Sequence, residues 1–262
     1  MKRILVFAHG VIAYAISFAT FLYAVGFVGN LFVPKSMDSA PQTQFWWALI
    51  VDVLLLGVFA IQHSVMARPA FKARWTRIVP EPAERSTYVL LSSLALILLF
   101  WQWQPIGGVV WDLQDPIARA GLYALFAFGW LLVLVSTFLI NHFDLFGLRQ
   151  VWLYLRRTPY TSVRFVEPGP YKLVRHPLYV GWLFAFWATP TMTATHLLFA
   201  VATTAYIFIA IRFEERDLVQ LHGGSYAAYR DRVPMILPWP RNSRTPRTRM
   251  MVRTRVDDIG PS

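Results

Sequence analysis

Long apolar segments constrain this chain more than any other feature. Four of them, at about 4–30, 45–66, 87–104 and 117–140, are close to the roughly 20 residues that an α-helix needs to cross the hydrocarbon core of a bilayer. Only 15% of the 262 residues are charged, against about 25% in an average soluble domain. The first segment is longer than the apolar core of a signal peptide, so we expect it to be a retained helix. The pattern predicts an all-α integral membrane protein with four transmembrane helices.

A fifth apolar segment, 178–211, is interrupted at Pro190 and is compatible with one kinked helix or with a helical hairpin. Basic residues favour the hairpin. If the chain begins on the cytoplasmic side, a hairpin leaves 23 of the 25 lysines and arginines on that side, with only Lys35 and Arg119 opposite. This asymmetry is the positive-inside pattern of membrane proteins. It predicts cytoplasmic termini and a bacterial inner membrane location, and it accounts for the net charge of +11 without nucleic acid.

The chain is expected to divide into four parts. Residues 1–140 would hold the N-terminal transmembrane helices, 141–177 a cytoplasmic and interfacial loop, and 178–240 the hairpin with a cofactor-binding region. The tail, 241–262, is rich in arginine and poor in apolar residues, which predicts disorder and contact with anionic lipid head groups. The sequence carries no indication of oligomeric state.

Polar residues cluster where the predicted helices reach the cytoplasmic face. Each has an ordinary interpretation as an interfacial or capping residue, but four helix ends bring them to one depth, which is typical of a binding pocket. The residues are Gln62, His63, Ser64, Asn141, His142, Asp144, Arg175, His176, Glu214 and Glu215. The chain has no cysteine, and its histidines lack a paired ligand motif, so the sequence predicts no metal site.

The two ends of the hairpin suggest a ligand of mixed charge. Pro177 suits a first helical turn, which leaves His176 outside the helix beside unpaired N–H groups that favour an anion. We expect the hairpin to end at Glu214 and Glu215. Adjacent carboxylates at a helix C-terminus are unfavourable, and a cationic ligand would offset their repulsion.

Three motifs in this region occur together in one known superfamily. "GPYKLVRHPLYVG" is followed, after one hairpin, by "EERDLVQLHGGSYAAYRDRVP". The Arg-His-Pro-x-Tyr-x-Gly motif, the Glu-Glu pair and the Gly-x-x-Tyr-x-x-Tyr segment resemble the isoprenylcysteine carboxyl methyltransferase-like superfamily of integral membrane enzymes. The resemblance implies S-adenosylmethionine as cofactor. It implies a cofactor site at the residues that match its motifs: Tyr171, Arg175, His176, Tyr179, Gly181, Glu214 and Glu215.

The rest of the chain resembles one branch of that superfamily. "QHSVMARPAFKARW", "ERSTYVLLSSLALILL" and "NHFDLFGLRQVW" are similar to the branch that methylates methanethiol to dimethyl sulfide, so the resemblance implies a thiol S-methyltransferase with a small-molecule thiol substrate. A related, denitrification-associated branch has a similar second helix. A haem-binding membrane isomerase or redox protein, with His63, His142 or His176 as ligands, is therefore the alternative.

Methylation of a thiol requires removal of its proton, because an alkyl thiol is mostly protonated near neutral pH. We expect His142, oriented by Asp144, to be the base, with His63 as the second candidate. Because residues two apart do not face each other on a regular helix, a helix end or a loop would have to bring His142 and Asp144 together.

Overall fold

Helices form most of the described chain. The computed structural model describes residues 1–239, and five of its helices are long and apolar enough to cross a membrane. They are α1 (Lys2–Gly29), α2 (Phe45–Ala67), α4 (Glu81–Gln102), α5 (Pro116–Leu139) and α9 (Ala194–His222). The shorter helices are α3 (Pro69–Trp75), α6 (His142–Leu145), α7 (Leu148–Leu155), α8 (Pro177–Trp187), α10 (Gly224–Arg232) and a 3₁₀ helix (Gly169–Lys172). The prediction of an all-α integral membrane protein is confirmed. The predicted tail lies outside the described residues.

The four predicted N-terminal helices are present, and α4 begins six residues earlier than predicted. The apolar segment indicated a start near 87, but Pro80 and Pro82 flank the first residue of the helix, where proline is tolerated. Glu81 and Glu84 in the first turn are favourable beside the N-terminal end of the helix dipole. Because of this polar first turn, α4 begins before the apolar segment.

The fifth apolar segment is a hairpin, as the distribution of basic residues predicted. Helix α8 ends at Trp187, strand β2 (Thr191–Thr193) follows Pro190, and α9 returns. The sequence did not predict strands, yet β2 pairs antiparallel with β1 (Val109–Asp112), which lies in the connection between α4 and α5. The hairpin turn therefore lies on the same side of the helices as the α4–α5 connection, opposite the 141–176 loop.

The hairpin does not end at Glu214 and Glu215, contrary to the prediction. Helix α9 continues to His222, and Gly223, with a φ of 57°, ends it. The residues after Glu215 include leucine, glutamine and arginine, which favour helices, so the helix outlasts its apolar segment. Glu214 lies twenty positions after Ala194, or about 30 Å along the helix, which is about the thickness of the hydrocarbon core and brings it near the membrane face opposite the hairpin turn.

Two glycines let α8 and α5 pack with their backbones in contact. A Cβ atom on Gly181 would lie 2.7 Å from the carbonyl oxygen of Gly129, and one on Gly129 would lie 2.6 Å from the backbone nitrogen of Ala185. Small residues allow this close approach between membrane helices. The contact attaches the hairpin to the N-terminal bundle and determines where the first turn of α8 is placed.

A buried polar contact near the opposite membrane face joins α2 to the segment after α4. Asp52, buried in α2, accepts a hydrogen bond of 2.8 Å from the backbone N–H of Gln104. This bond agrees with a packing role for Asp52.

Candidate active site

The centre of the candidate site is an ion pair between Arg175 and Glu215. The Nε and Nη2 atoms of Arg175 each donate to one carboxylate oxygen of Glu215 at 2.7 Å, and Nη1 donates to the carbonyl oxygens of Arg230 and Val233 at 2.8 Å. Only 5% of the Arg175 side chain and 15% of the Glu215 side chain are exposed. These bonds connect the N-terminus of α8 with the C-terminal half of α9, with the end of α10 and with the segment after α10. The two residues therefore act as a structural centre for the site, and the guanidinium does not face an open cleft.

Glu214, the preceding residue, has a different environment. Its side chain is 44% exposed, and its nearest basic group is Nδ1 of His176 at 3.9 Å. The Nε2 atom of His176 lies 3.1 Å from Glu215, so the imidazole lies between the two carboxylates. Because Arg175 already neutralises Glu215, the carboxylate of Glu214 is the charge available to a cationic ligand. Of the two predicted glutamates, the structure thus leaves Glu214 accessible.

Tyrosine hydroxyls surround these carboxylates. Glu214 interacts electrostatically with Tyr171 and Tyr179. Burial raises the pKa of Tyr171, and the charge of Glu214 raises it further. The hydroxyl of Tyr229 donates to the carbonyl oxygen of Tyr171 at 2.7 Å, and burial raises the pKa of Tyr229 to about 12. The site therefore offers neutral O–H donors beside an anionic carboxylate.

A fourth tyrosine, Tyr226, belongs to the Gly-x-x-Tyr-x-x-Tyr segment and adds a buried polar group that the sequence did not assign to the cofactor site. It is 1% exposed, and its hydroxyl has no hydrogen-bond partner among the described residues. Burial raises its pKa, as does the nearby charge of Glu215. An unpaired hydroxyl at this position is unfavourable unless a ligand or water completes its bonding.

The N-terminus of α8 has the geometry that Pro177 predicted. His176 is the residue before the helix, with a φ of −125°, and Pro177 occupies the first turn. The backbone N–H groups of Arg175 and His176 donate to the carbonyl oxygens of Pro234 and Met235 at 2.8 and 3.2 Å. Gly181, which the resemblance assigned to the cofactor, instead contacts α5 through its backbone. Its missing side chain serves helix packing.

His142 and Asp144, expected to form a pair, are bonded to other residues. The ring nitrogens of His142 lie 2.8 Å from the hydroxyl of Thr137 and 2.9 Å from the hydroxyl of Tyr14. Asp144 accepts from Arg149 at 2.8 Å and from Tyr160 at 3.2 Å. The short helix α6 places the two side chains apart, so the predicted orientation of His142 by Asp144 is wrong. Tyr14 and Thr137 take that place instead.

The surroundings of His142 are aromatic. The ring of Phe138 stacks on the imidazole with centroids 4.1 Å apart, and Phe143 and Phe146 lie within 5.4 Å. Burial lowers the pKa of His142, which favours a neutral imidazole able to accept a proton. A surface cavity of about 430 Å³ includes His142 and extends to Val163 and Val166 of the loop.

His63 belongs to a separate polar cluster within the membrane-spanning helices. Its Nδ1 atom lies 3.2 Å from the hydroxyl of Ser92, and the hydroxyl of Tyr88 lies 3.0 Å from each ring nitrogen. The ring of Phe59 stacks on the imidazole at 5.3 Å. His63 and its partners thus face the interior of the bundle between α2 and α4.

A buried pair on the opposite side of the membrane was not predicted. His196 in the first turn of α9 is 1% exposed and lies 3.2 Å from Asp38 in the loop after α1. Burial by itself raises the pKa of Asp38, but hydrogen bonds from His196, Thr193 and Asn30 and the charge of His196 outweigh it and lower the pKa. The interruption "TPTMTATH" contained His196, but no local pattern connected it with a residue 158 positions away.

The described part of the chain contains no group of three or more histidine, aspartate or glutamate side chains that could hold a metal ion. The polar residues of the site are instead arranged as one buried ion pair, one accessible carboxylate and several neutral hydroxyls. This set suits an organic cation that also carries hydrogen-bonding groups.

Comparisons with known proteins place the chain in a family. Residues 119–224 match the phospholipid methyltransferase family. A methanethiol S-methyltransferase of Crocosphaera subtropica is 57% identical over 91% of this chain and 94% of its own length. The chain belongs to the methanethiol S-methyltransferase family. A member from Mycobacterium tuberculosis is 53% identical over 92% of this chain and 98% of its own length.

The chain is also similar to a more distant relative. Nurim of Mus musculus is 31% identical over 65% of this chain and 68% of its own length. No solved structure matches the chain. None of these relatives carries a name that supports the haem-binding alternative, so the comparisons favour the methyltransferase prediction.

Proposed function

We propose that this protein methylates a small thiol, with methanethiol converted to dimethyl sulfide, and that S-adenosylmethionine is the methyl donor. The observation that carries the proposal is the accessible carboxylate of Glu214 beside the buried Arg175–Glu215 pair, in a chain 57% identical to a methanethiol S-methyltransferase. S-adenosylmethionine supplies an electrophilic methyl carbon attached to a sulfonium.

The residues present fit this donor. Glu214 would attract its positive charges, and the unpaired hydroxyl of Tyr226 could complete its hydrogen bonds with a polar ligand. The N–H groups in the first turn of α8 favour a carboxylate, and the donor also carries one. Tyr171, Tyr179 and His176 would contact the donor directly. Arg175 and Glu215 would support these residues by holding α8, α9 and the segment after α10 together.

Two histidines are candidates for the base. His142 lies in an aromatic environment, where burial lowers its pKa and so favours a neutral imidazole, with Tyr14 and Thr137 in place of the expected Asp144. His63 has Ser92 and Tyr88 as partners. Either could accept a thiol proton at a ring nitrogen.

We also propose the orientation in the membrane. The lysine and arginine distribution favours cytoplasmic termini in the inner membrane of a bacterium, with the candidate site on the cytoplasmic side. S-adenosylmethionine is a soluble cytoplasmic metabolite, and a small apolar thiol can enter from the bilayer. Donor and acceptor could thus reach the site from different phases.

Headspace gas analysis tests the function. Purified protein in lipid nanodiscs, given S-adenosylmethionine and methanethiol, should release dimethyl sulfide in amounts that match the S-adenosylhomocysteine formed. Calorimetry on the same sample should detect binding of S-adenosylmethionine. Binding of the donor without dimethyl sulfide would contradict methanethiol as acceptor, whereas no binding would contradict the whole proposal.

A further inference from the structure

A second group of polar side chains, buried or partly buried, lies between the helices next to the proposed donor site. We propose that this group is the acceptor-thiol site and that His63 is the base, an inference that rests on the proposed thiol methylation. We call the group the His63 chamber. It consists of Phe59, His63 and Ser64 from α2, Tyr88 and Ser92 from α4, and Tyr206 from α9.

Its position in the membrane argues for a function. Polar side chains within membrane-spanning helices are unfavourable and usually serve substrates or ions. Here three helices contribute them at one place: Ser64 lies 3.0 Å from the hydroxyl of Tyr206, and His63 contacts Tyr88 and Ser92. Both His63 and Tyr206 remain partly exposed although their helices pack together. Nearby, Gln62 has a buried side-chain oxygen without a hydrogen-bond partner among the described residues.

Tyr179 connects this chamber with the donor site. It lies in the first turn of α8, and its hydroxyl interacts electrostatically with Glu214, Tyr206 and Tyr88. Its ring also lies 5.6 Å from the imidazole of His176, centroid to centroid, so one side chain contacts the donor site and lies within electrostatic range of two residues of the chamber. Among the described residues, no comparable electrostatic interaction connects the donor-site carboxylates with His142. An acceptor in the chamber would lie beside the donor.

The chemistry of the walls fits a small apolar thiol. Polarisable sulfur makes favourable contacts with aromatic rings, and Phe59, Tyr88 and Tyr206 supply three of them. Arg85 in α4 lies over the ring of Tyr88, with 5.3 Å between its guanidinium carbon and the ring centroid, and its field reaches His63. A positive charge at this position favours the thiolate over the thiol. Among the described residues, the titratable groups beside His63 are Tyr88 and Arg85 from α4, and Tyr206 from α9 bonds to the adjacent Ser64.

The geometry of His63 leaves one nitrogen suited to the thiol. Ser92 bonds to Nδ1. The hydroxyl of Tyr88 is 3.0 Å from both Nδ1 and Nε2, so it lies off the lone-pair axis of Nε2. In the reaction, the thiol gives its proton to Nε2 of His63. Its sulfur then forms a bond to the methyl carbon, whose bond to the donor sulfonium breaks, and that electron pair stays on the donor sulfur as a neutral thioether.

The test compares three histidines in lipid nanodiscs, with methanethiol as the probe. We expect His63→Gln to lower kcat by about 100-fold or more, within the range of general base catalysis, while the affinity for S-adenosylmethionine changes less than twofold. The loss should shrink as the pH approaches the pKa of the thiol, because the thiolate then forms without a base. His9→Gln is the matched control, since His9 bonds Thr87 on α4 from a neighbouring helix as His63 bonds Ser92. It should keep the wild-type kcat and pH profile, whereas His142→Gln tests the other candidate base.

The outcomes separate this inference from the proposed function. If the wild-type protein forms no dimethyl sulfide, the proposed acceptor fails. If the wild-type protein turns over and His63→Gln keeps its kcat and pH profile, only the chamber assignment fails. The same holds if His142→Gln alone shows the pH-dependent loss. Should His63→Gln no longer bind S-adenosylmethionine, Tyr88→Phe and Ser92→Ala serve instead: a several-fold higher KM for methanethiol with unchanged donor binding supports the chamber, and unchanged KM overturns it.

Discussion

At the scale of single residues, neighbours of identical chemistry acquire different roles from their surroundings. Glu214 and Glu215 are adjacent in α9, yet Glu215 is held by two bonds from Arg175 while Glu214 remains 44% exposed. Successive residues on a helix point about 100° apart, so one faces the packed interior and the other the open side. The same motif therefore combines a structural carboxylate with one that can bind a ligand.

Substitution of each glutamate should separate these roles. Glu214→Gln should weaken binding of S-adenosylmethionine by about 10-fold to 100-fold, corresponding to the loss of a charged hydrogen bond of about 1.5–3 kcal/mol. Its thermal stability should stay near that of the wild type. Glu215→Gln should instead lower stability by about 3–5 kcal/mol, because it leaves the buried charge of Arg175 uncompensated.

Calorimetry and thermal unfolding in detergent measure the two effects. Glu167→Gln is a suitable control, because Glu167 forms an ion pair with Arg232, whose side chain is 63% exposed, and such pairs contribute little. Equal loss of donor binding in Glu214→Gln and Glu167→Gln would contradict a specific role for Glu214.

At the scale of elements, the contact between α5 and α8 positions the site. Gly129 and Gly181 bring the two backbones together, and the N-terminus of α8 then meets Glu214 and Glu215 from α9. The sequence motif contained Gly181 together with residues proposed to bind the donor. Its physical role is to let the helix that carries them approach α5.

A methyl group at this contact should be costly. Gly181→Ala places a Cβ atom 2.7 Å from a backbone carbonyl oxygen, which forces the helices apart, so we expect a loss of about 1–3 kcal/mol in stability together with weaker donor binding. Gly121→Ala on α5 is the matched control, because nothing lies within 4 Å of its added Cβ atom. It should leave both properties unchanged. If thermal unfolding showed Gly121→Ala to be less stable than Gly181→Ala, the helix contact would not be the cause.

At the scale of the whole molecule, opposite faces of the bundle carry different polar groups. The candidate site lies at the end of α9 with Glu214, and the Asp38–His196 contact and the β1–β2 pair lie at its beginning. Basic residues flank the face that carries Glu214. The proposed orientation therefore places the catalytic end in the cytoplasm and the strand pair outside the inner membrane.

Single cysteines can test this orientation, because the natural chain has none. Gln42→Cys, exposed in the loop between α1 and α2, should react with a membrane-impermeant maleimide added to spheroplasts. Thr158→Cys, exposed after α7, should react only once the membrane is permeabilised. The reverse pattern of labelling would contradict cytoplasmic termini.

The helices themselves follow from local sequence. Apolar length predicted α1, α2, α5 and most of α4, because a spanning helix satisfies its own backbone hydrogen bonds and needs only apolar side chains towards lipid. The position of Pro190 and the basic residues together predicted the hairpin. Pro177 predicted that His176 stays outside α8, because a proline favours the first turn of a helix and restricts the backbone of the residue before it.

Which side chains meet was determined by the tertiary structure alone. Membrane helices are apolar on all sides, so their sequences carry little periodic signal for the face that turns inward. Nothing local therefore indicated that His142 would bond Tyr14 rather than Asp144, or that Asp38 would meet His196. The pairing of Arg175 with Glu215 and the assembly of the His63 chamber depend likewise on how packed helices are rotated and offset. The sequence determined the spans, the hairpin and the motif residues, and packing decided which of those residues stay accessible for chemistry.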